Sequence, residues 1–252
     1  KTFRGNGGVP KSSKGFVGQW QRPGWHLALY NDEQADAFVR DEFPEYYRAY
    51  RDMPKNVMRA DLFRYLVILR YGGIYADLDT VPTQPLAELV TATDTLVVGW
   101  EAEFESPKAA VEHTYARQRQ VLQWAFAAAP GHPALRAAAD AISNWAGDRH
   151  SADADISVLE ITGPGRFSDI VIKYDRERHA SEEEFAKWGP VTFLPIAAMG
   201  SLPFDGAPFE VWSEREKAHI YLKHFFLGTW KNRGWLEWIR GFMPDWLPPP
   251  LF

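Results

Sequence analysis

The sequence predicts an α/β protein. Stretches with helical spacing of apolar residues alternate along the chain with short strand-like runs. Glycine and proline breaks, above all Gly72-Gly73 and the "PGHP" of 130–133, separate those stretches. At 252 residues the chain is long enough to bury a substantial core.

The elements follow in order. Gly5–Lys14 reads as a loop, and "WHLALYND" (25–32) alternates like a strand. "EQADAFVRDEF" follows as a helix with acidic residues at its start. Pro54 and Asn56 precede a strongly apolar helix that Gly72-Gly73 ends in the manner of a C-terminal cap. "IYADLD" then changes the period to two, and "TLVVGWE" (95–101) reads as a buried strand. The Ala- and Gln-rich 109–129 reads as a long helical region, broken at "PGHP", where His132 is a turn residue, and resumed in "ALRAAADAISNWA". "ITGPGRFSDIVIKY" is a turn leading into a helix, "PVTFLPIAAM" a strand, and "HIYLKHFFLGTWKN" a strand and loop. "PDWLPPPLF" closes the chain as an irregular strap.

Composition narrows the function. A net charge of -5 with both signs interspersed leaves no basic footprint for nucleic acid. No apolar run approaches the roughly 18 residues of a membrane span, and no signal peptide opens the chain. The absence of cysteine excludes disulfides and thiolate metal sites. The 11 tryptophans are numerous enough to serve both a core and aromatic ligand platforms.

The chemistry concentrates in "RADLFRYLVILRYGGIYADLDT" (59–80), an apolar stretch that nevertheless carries Arg59, Asp61, Arg64, Arg70, Asp77 and Asp79. Buried charges are costly unless paired or metal-bound. On a helix Asp61 and Arg64 share a face. On the strand that follows, Tyr75, Asp77 and Asp79 point to one side and Ile74, Ala76 and Leu78 to the other. Two carboxylates at that spacing repel each other unless a cation lies beside them, and a hard divalent ion with oxygen ligands suits the position. An ion held by so few protein ligands keeps positions open for water and phosphate oxygens. A capped turn at Asp79 and a structural Asp61–Arg64 pair would satisfy the same residues without a ligand.

This stretch resembles the donor-site signature of the DXD sugar-nucleotide transferases of the GT-A fold. It is most similar to the fungal α-1,6-mannosyltransferases that initiate the N-glycan outer chain, and to their relatives that mannosylate inositol phosphoceramide. "WQRPGWHLALYNDEQADAFVRDEFPE", "QWAFAAAPGHPAL", "TGPG" and "HFFLGTWK" extend the resemblance over most of the chain. It implies a GT-A-like single domain over 1–252, a mixed central sheet flanked by helices. It also implies an "IPK"-type first strand and a membrane anchor ahead of Lys1, so a type II membrane protein of the Golgi lumen. The activity implied is metal-dependent, configuration-retaining transfer of α-mannose from GDP-mannose to a glycan, with Mn²⁺ or Mg²⁺.

By the same resemblance Asp61 and Arg64 hold the donor sugar, Arg59 and Tyr75 lie near the nucleotide, Asp77 meets the ribose and the metal's water shell, and Asp79 binds the metal. In "KHFFLGTWK", His224 is a further metal ligand, Trp230 an indole donor and Lys231 a charge on the leaving phosphate. Glu101, Gln123 and Thr162 are placed in loops facing this site, as candidate acceptor contacts or as structural residues. Two rival readings differ in class. "DLDTV" with "GDRHSAD" (147–153) also fits a haloacid-dehalogenase-type phosphohydrolase working through Asp77 and Asp79, although Arg59, Asp61 and Arg64 then have no role. A non-catalytic sugar-binding protein on the same fold is the other. The acceptor, whether N-glycan, sphingolipid or another glycan, is not legible in the residues.

Overall fold

The computed structural model describes residues 8–9, 13–147, 158–177, 186–199 and 220–225. Helices α1 (Lys14–Gln19), α2 (Asp32–Glu42), α3 (Pro44–Asp52) and α4 (Asn56–Tyr71) precede strands β1 (Gly73–Ala76) and β2 (Thr80–Pro82). Then come β3 (Leu96–Glu103), α5 (Pro107–Glu112), β4 (Arg119–Ala128), α6 (Pro133–Gly147), α7 (Val158–Ile161), α8 (Pro164–Glu177), β5 (Thr192–Leu194) and β6 (Leu222–His224).

The main sheet is mixed, in the order β1-β4-β3-β5. β4 runs antiparallel to both neighbours and β5 parallel to β3. The carboxyl ends of β1, β3 and β5 therefore share one edge, the usual place for a ligand site in an open α/β sheet. One sheet face packs on helices through Leu62, Leu66, Phe126, Leu135 and Phe167. A smaller cluster of Trp20, Ala76, Leu122, Trp124, Met199 and Leu222 covers the other.

Two elements differ from the sequence expectation. The helical region expected over 109–129 is a short helix, α5, followed by β4, which lies inside the sheet. Strong helix formers (Gln, Leu, Ala) fill β4, and Val121–Ala128 is buried throughout, so no polar face marks a period of two. Tertiary pairing overrides propensity there. The strand expected at 25–32 is likewise absent: only Tyr30 makes a bridge, because alternation supplies faces but not a pairing partner. Residues of this segment line a cavity of about 390 Å³ together with Gly73–Ala76 of β1. Among the described residues the other expected helices and strands are present, while the closing strap "PDWLPPPLF" and most of the Gly5–Lys14 loop lie outside them: α2 opens on a reciprocal cap between Asn31 and Gln34. α6 starts at "PGHP" and α8 follows the "TGPG" turn.

α4 is buried on most of its circumference, which its continuous apolar sequence requires. It ends where Gly72 adopts φ 68° and ψ −168°, a conformation essentially confined to glycine. A Cβ there would lie 2.7 Å from Pro130 Cδ. The Gly131 N–H donates to the Leu69 carbonyl at 2.7 Å, satisfying one of the open helix-end acceptors. Gly72-Gly73 thus turns the chain directly from α4 into β1.

Candidate active site

Asp77 follows β1, and its N–H donates to the Trp124 carbonyl at 2.8 Å, extending the β1–β4 pairing by one residue. The chain then turns: the Thr80 hydroxyl donates to the Asp77 carbonyl at 2.6 Å. The alternation expected along "IYADLD" accordingly holds as far as Asp77 and yields to a turn at Leu78-Asp79. The turn still brings the two carboxylates together, and β2 emerges from it to pair with β6. In that pairing His224 lies opposite Thr80. Its Nε2 comes within 3.1 Å of Asp79 Oδ1, and its ring packs on Trp124 at 4.6 Å between centroids. α1 and its C-terminal cap brace the β2–β6 pair, with Trp20 Nε1 donating to the Thr80 carbonyl at 2.7 Å and Phe16 against Phe225.

Ligand atoms of Asp77, Asp79 and His224 all lie within 4.8 Å of one another. Two ligands at right angles on an ion with bonds of about 2.1 Å are about 3 Å apart, close to the His224–Asp79 spacing. Two carboxylates and one imidazole are a donor set that suits a divalent cation. The three residues expected as metal ligands are therefore brought together.

Beneath them lies a buried polar network. Arg64 Nη2 is 2.8 Å from Asp61 Oδ1 and 3.7 Å from Asp77 Oδ1. Tyr75 donates its hydroxyl to Asp77 Oδ1 at 2.9 Å, and the Arg64 guanidinium lies 5.0 Å from the Tyr75 ring centre. Asp61 is 2% exposed and Arg64 6%. Burial pushes the Asp61 carboxyl up to about 7, opposed by the Arg64 charge and the Thr162 hydroxyl. Burial alone would lower Arg64, but Tyr75, Asp77 and Asp61 together outweigh it and hold the guanidinium protonated. Tyr75 is raised well above its ordinary value, first by burial, so it remains a hydrogen-bond donor.

The remaining candidates divide. Tyr75 does reach the cluster, but through Asp77. Arg59 points elsewhere: its Nη2 donates to the Met53 carbonyl at 3.5 Å, in the connection between α3 and α4. Glu101 is not in a loop but on β3, where Gln120 donates to its carboxylate at 2.7 Å. Gln123 is likewise on a strand, β4, and Thr162 sits in the turn between α7 and α8; both are buried and bind Asp61, Tyr65 and each other. The sequence left a structural role open for both and the "TGPG" motif marked the turn, but Asp61 and Tyr65 were not legible as the partners. His132 is more than a turn residue: its Nδ1 accepts the Ala134 N–H at 3.2 Å at the start of α6, and burial brings its pKa down to about 4. Trp230 and Lys231 lie outside the described residues. Gly147 of the "GDRHSAD" stretch closes a helix, where the phosphohydrolase reading needs a strand.

Residues 15–121 match the family described as the glycosyltransferase sugar-binding region containing a DXD motif, and the matched region includes the Asp77-Leu78-Asp79 turn. Over these residues the chain is similar to the DXD-motif glycosyltransferases. The chain is also 34% identical over 232 residues to the initiation-specific alpha-1,6-mannosyltransferase of Schizosaccharomyces pombe, covering 83% of this chain and 57% of that protein. The protein of the same name from Candida albicans is 28% identical over 268 residues, covering 90% of this chain and 69% of the relative. The chain thus spans between about half and two thirds of the length of these relatives. Among solved structures, the PaToxG glycosyltransferase has the same fold, with a TM-score of 0.50 and 15% identity over 87% of this chain and 81% of that one. No helix among the described residues is long and apolar enough to cross a membrane.

Proposed function

We propose that this chain is the single catalytic domain of a metal-dependent, retaining glycosyltransferase that moves α-mannose from GDP-mannose to a glycan acceptor, as in N-glycan outer-chain initiation. The observation that carries the reading is the convergence of Asp77, Asp79 and His224 above the buried Asp61–Arg64 pair, at the carboxyl end of β1. The similarity to two alpha-1,6-mannosyltransferases supports mannose as the sugar and hence GDP-mannose as donor. It also favours the Golgi lumen as location, with an anchor in the full-length protein.

In this reading Asp77, Asp79 and His224 hold Mn²⁺ or Mg²⁺, which when bound neutralises charge on the donor diphosphate. Asp61 and Arg64 act from the floor of the site as a clamp that fixes the donor sugar. Tyr75 orients Asp77 on the nucleotide side, and Trp230 and Lys231 meet the leaving phosphate. The sugar C1–phosphate oxygen bond breaks and a C1–acceptor oxygen bond forms on the same face. The acceptor proton passes to the departing diphosphate, so no protein carboxylate is needed as nucleophile.

Incubation with GDP-mannose, Mn²⁺ and a mannoside acceptor tests the proposal directly. A new α-mannosidic bond with release of GDP is the expected result. Hydrolysis of a simple phosphomonoester without transfer would select the phosphohydrolase instead, and GDP-mannose binding without turnover would select a sugar-binding protein.

A further inference from the structure

Two buried residues outside the Asp77–Asp79 turn hydrogen-bond the Asp61–Arg64 pair. The Thr162 hydroxyl donates to Asp61 Oδ2 at 2.7 Å. The Gln123 side-chain amide donates to the Thr162 carbonyl at 2.7 Å and to the Tyr65 hydroxyl at 2.5 Å, while the Gln123 carbonyl accepts from Arg64 Nη1 at 3.0 Å. Thr162 is 0% exposed and Gln123 5%.

The backbone is shaped to make these contacts. β3 and β4 pair regularly from Leu96–Ala128 to Val98–Phe126, but the next pair is Trp100–Val121. Residues 122–125 therefore bulge out of the β3 ladder, while Ala125 and Trp124 remain paired to the β1 side. Within that bulge the Gln123 carbonyl is released from strand pairing and is available to Arg64. The "TGPG" turn is equally constrained. A Cβ on Gly163 would lie 2.8 Å from Leu159 Cα and from the Val158 carbonyl oxygen, and one on Gly165 would lie 2.8 Å from Ala116 Cβ and from the Leu159 carbonyl oxygen. Only glycine lets the turn approach closely enough to seat Thr162 under Asp61.

We propose that Thr162 and Gln123 are positioning residues for donor-sugar recognition: they lock the Asp61–Arg64 clamp in one orientation against Asp77. The inference rests on the transferase reading above. Without the Thr162 hydroxyl, Asp61 Oδ2 loses its donor in a site closed to water, and Arg64 must turn to compensate. The sugar end of the donor would then be held in a shifted geometry, while the diphosphate, held by other residues, would be bound as before.

The test uses Thr162→Val, which keeps shape and removes the hydroxyl, Thr162→Ser, which restores it, and Gln123→Leu, which removes the amide but leaves the backbone carbonyl. For each full chain, GDP and GDP-mannose affinities are measured by titration with Mn²⁺ present, alongside kcat and KM for transfer and the thermal melting point. Thr162→Val and Gln123→Leu are expected to lower kcat by about tenfold or more, with GDP affinity within about threefold of wild type. Thr162→Ser is expected to recover most of the rate. Wild-type kcat in both the Val and Leu variants would overturn the proposal. So would a Ser variant as impaired as Val, or equal losses of GDP and GDP-mannose affinity, since these indicate packing or global damage. If one variant does not fold, the other two decide. Failure of the transferase reading has a different signature: the wild-type chain itself neither transfers from nor binds GDP-mannose.

Discussion

His224 Nε2 lies 3.1 Å from Asp79 Oδ1 across 145 residues of sequence. The contact is produced by backbone pairing, since β6 sets His224 opposite Thr80 and the Phe225 N–H donates to the Asp79 carbonyl at 3.0 Å. A strand from the far end of the chain thus completes a site begun at the turn after β1.

Metal binding should depend on both ends of that contact. Asp79→Asn is expected to remove most of the Mn²⁺-induced rise in melting temperature, and His224→Ala to weaken Mn²⁺ binding by about tenfold or more. Without metal, Asp79→Asn should melt no lower than wild type, because it relieves carboxylate repulsion. Thermal melts across a Mn²⁺ titration check all three. A normal Mn²⁺ response in both variants would remove these residues from the metal site.

Arg64 faces two carboxylates from a position with almost no solvent contact. Arg64→Met should therefore destabilise the fold by about 3–5 kcal/mol, because the buried Asp61 loses its cation and must take up a proton or stay as an uncompensated charge. Adding Asp61→Asn should return a large part of that loss. Urea unfolding of the two single variants and the double variant measures the coupling. An additive double variant would mean the pair is not energetically linked.

His132 sets a pH dependence away from the site. Its folded pKa, near 4, lies below the ordinary histidine value of 6.5 because the ring is buried, packed against Tyr174 and Trp188. Above that ordinary value the ring is neutral in both states. As the pH falls from there toward 4, only the unfolded chain takes up the proton, so stability drops by about 3 kcal/mol and then levels off. His132→Asn retains a helix-capping acceptor and does not titrate. The difference between wild-type and variant unfolding free energies, followed from pH 7 to pH 4, isolates this contribution. A constant difference would show that His132 titrates normally.

Backbone conformation gives two effects of opposite sign. Thr114, at the end of α5, has φ 66° where such caps favour glycine, and its N–H and that of Tyr115 close the helix end. Thr114→Gly should stabilise by about 1 kcal/mol. Gly72→Ala should destabilise by about 2–4 kcal/mol, combining an unfavourable φ with the contact against Pro130. Chemical denaturation midpoints test both, and matching signs would contradict the conformational account.

Much of this was legible in the sequence. Asp61 and Arg64 at helical spacing, the double glycine, and Asp77 and Asp79 just beyond it specify a local geometry that needs few distant contacts. His224 was legible by its motif rather than by periodicity, since a histidine on an apolar strand carries no signal of its own partner. β4 was not legible, because an Ala- and Gln-rich segment states a helical preference that only its two neighbouring strands overrule. The roles of Gln123 and Thr162 were hidden for a related reason. A bulge is a mismatch between two strands and appears in neither strand's sequence alone, and the reach of Thr162 depends on helices that meet only in the folded chain. The 25–32 segment shows the converse limit, for alternation names two faces without naming a neighbour.

The helical preference of β4 has a consequence for how the chain reaches its fold. Local and global instructions conflict over Arg119–Ala128, the strand that joins β1 to β3. If this segment coils as a helix early in refolding, the main sheet cannot assemble until it uncoils. The slow step should then be the insertion of this one strand between two distant partners rather than the collapse of the helices around α4. Replacing Ala127 with valine, a residue that disfavours the helix and favours the strand, bears on that step. It should speed refolding even if crowding beside β1 lowers the final stability, separating the rate at which the fold is found from the depth at which it rests.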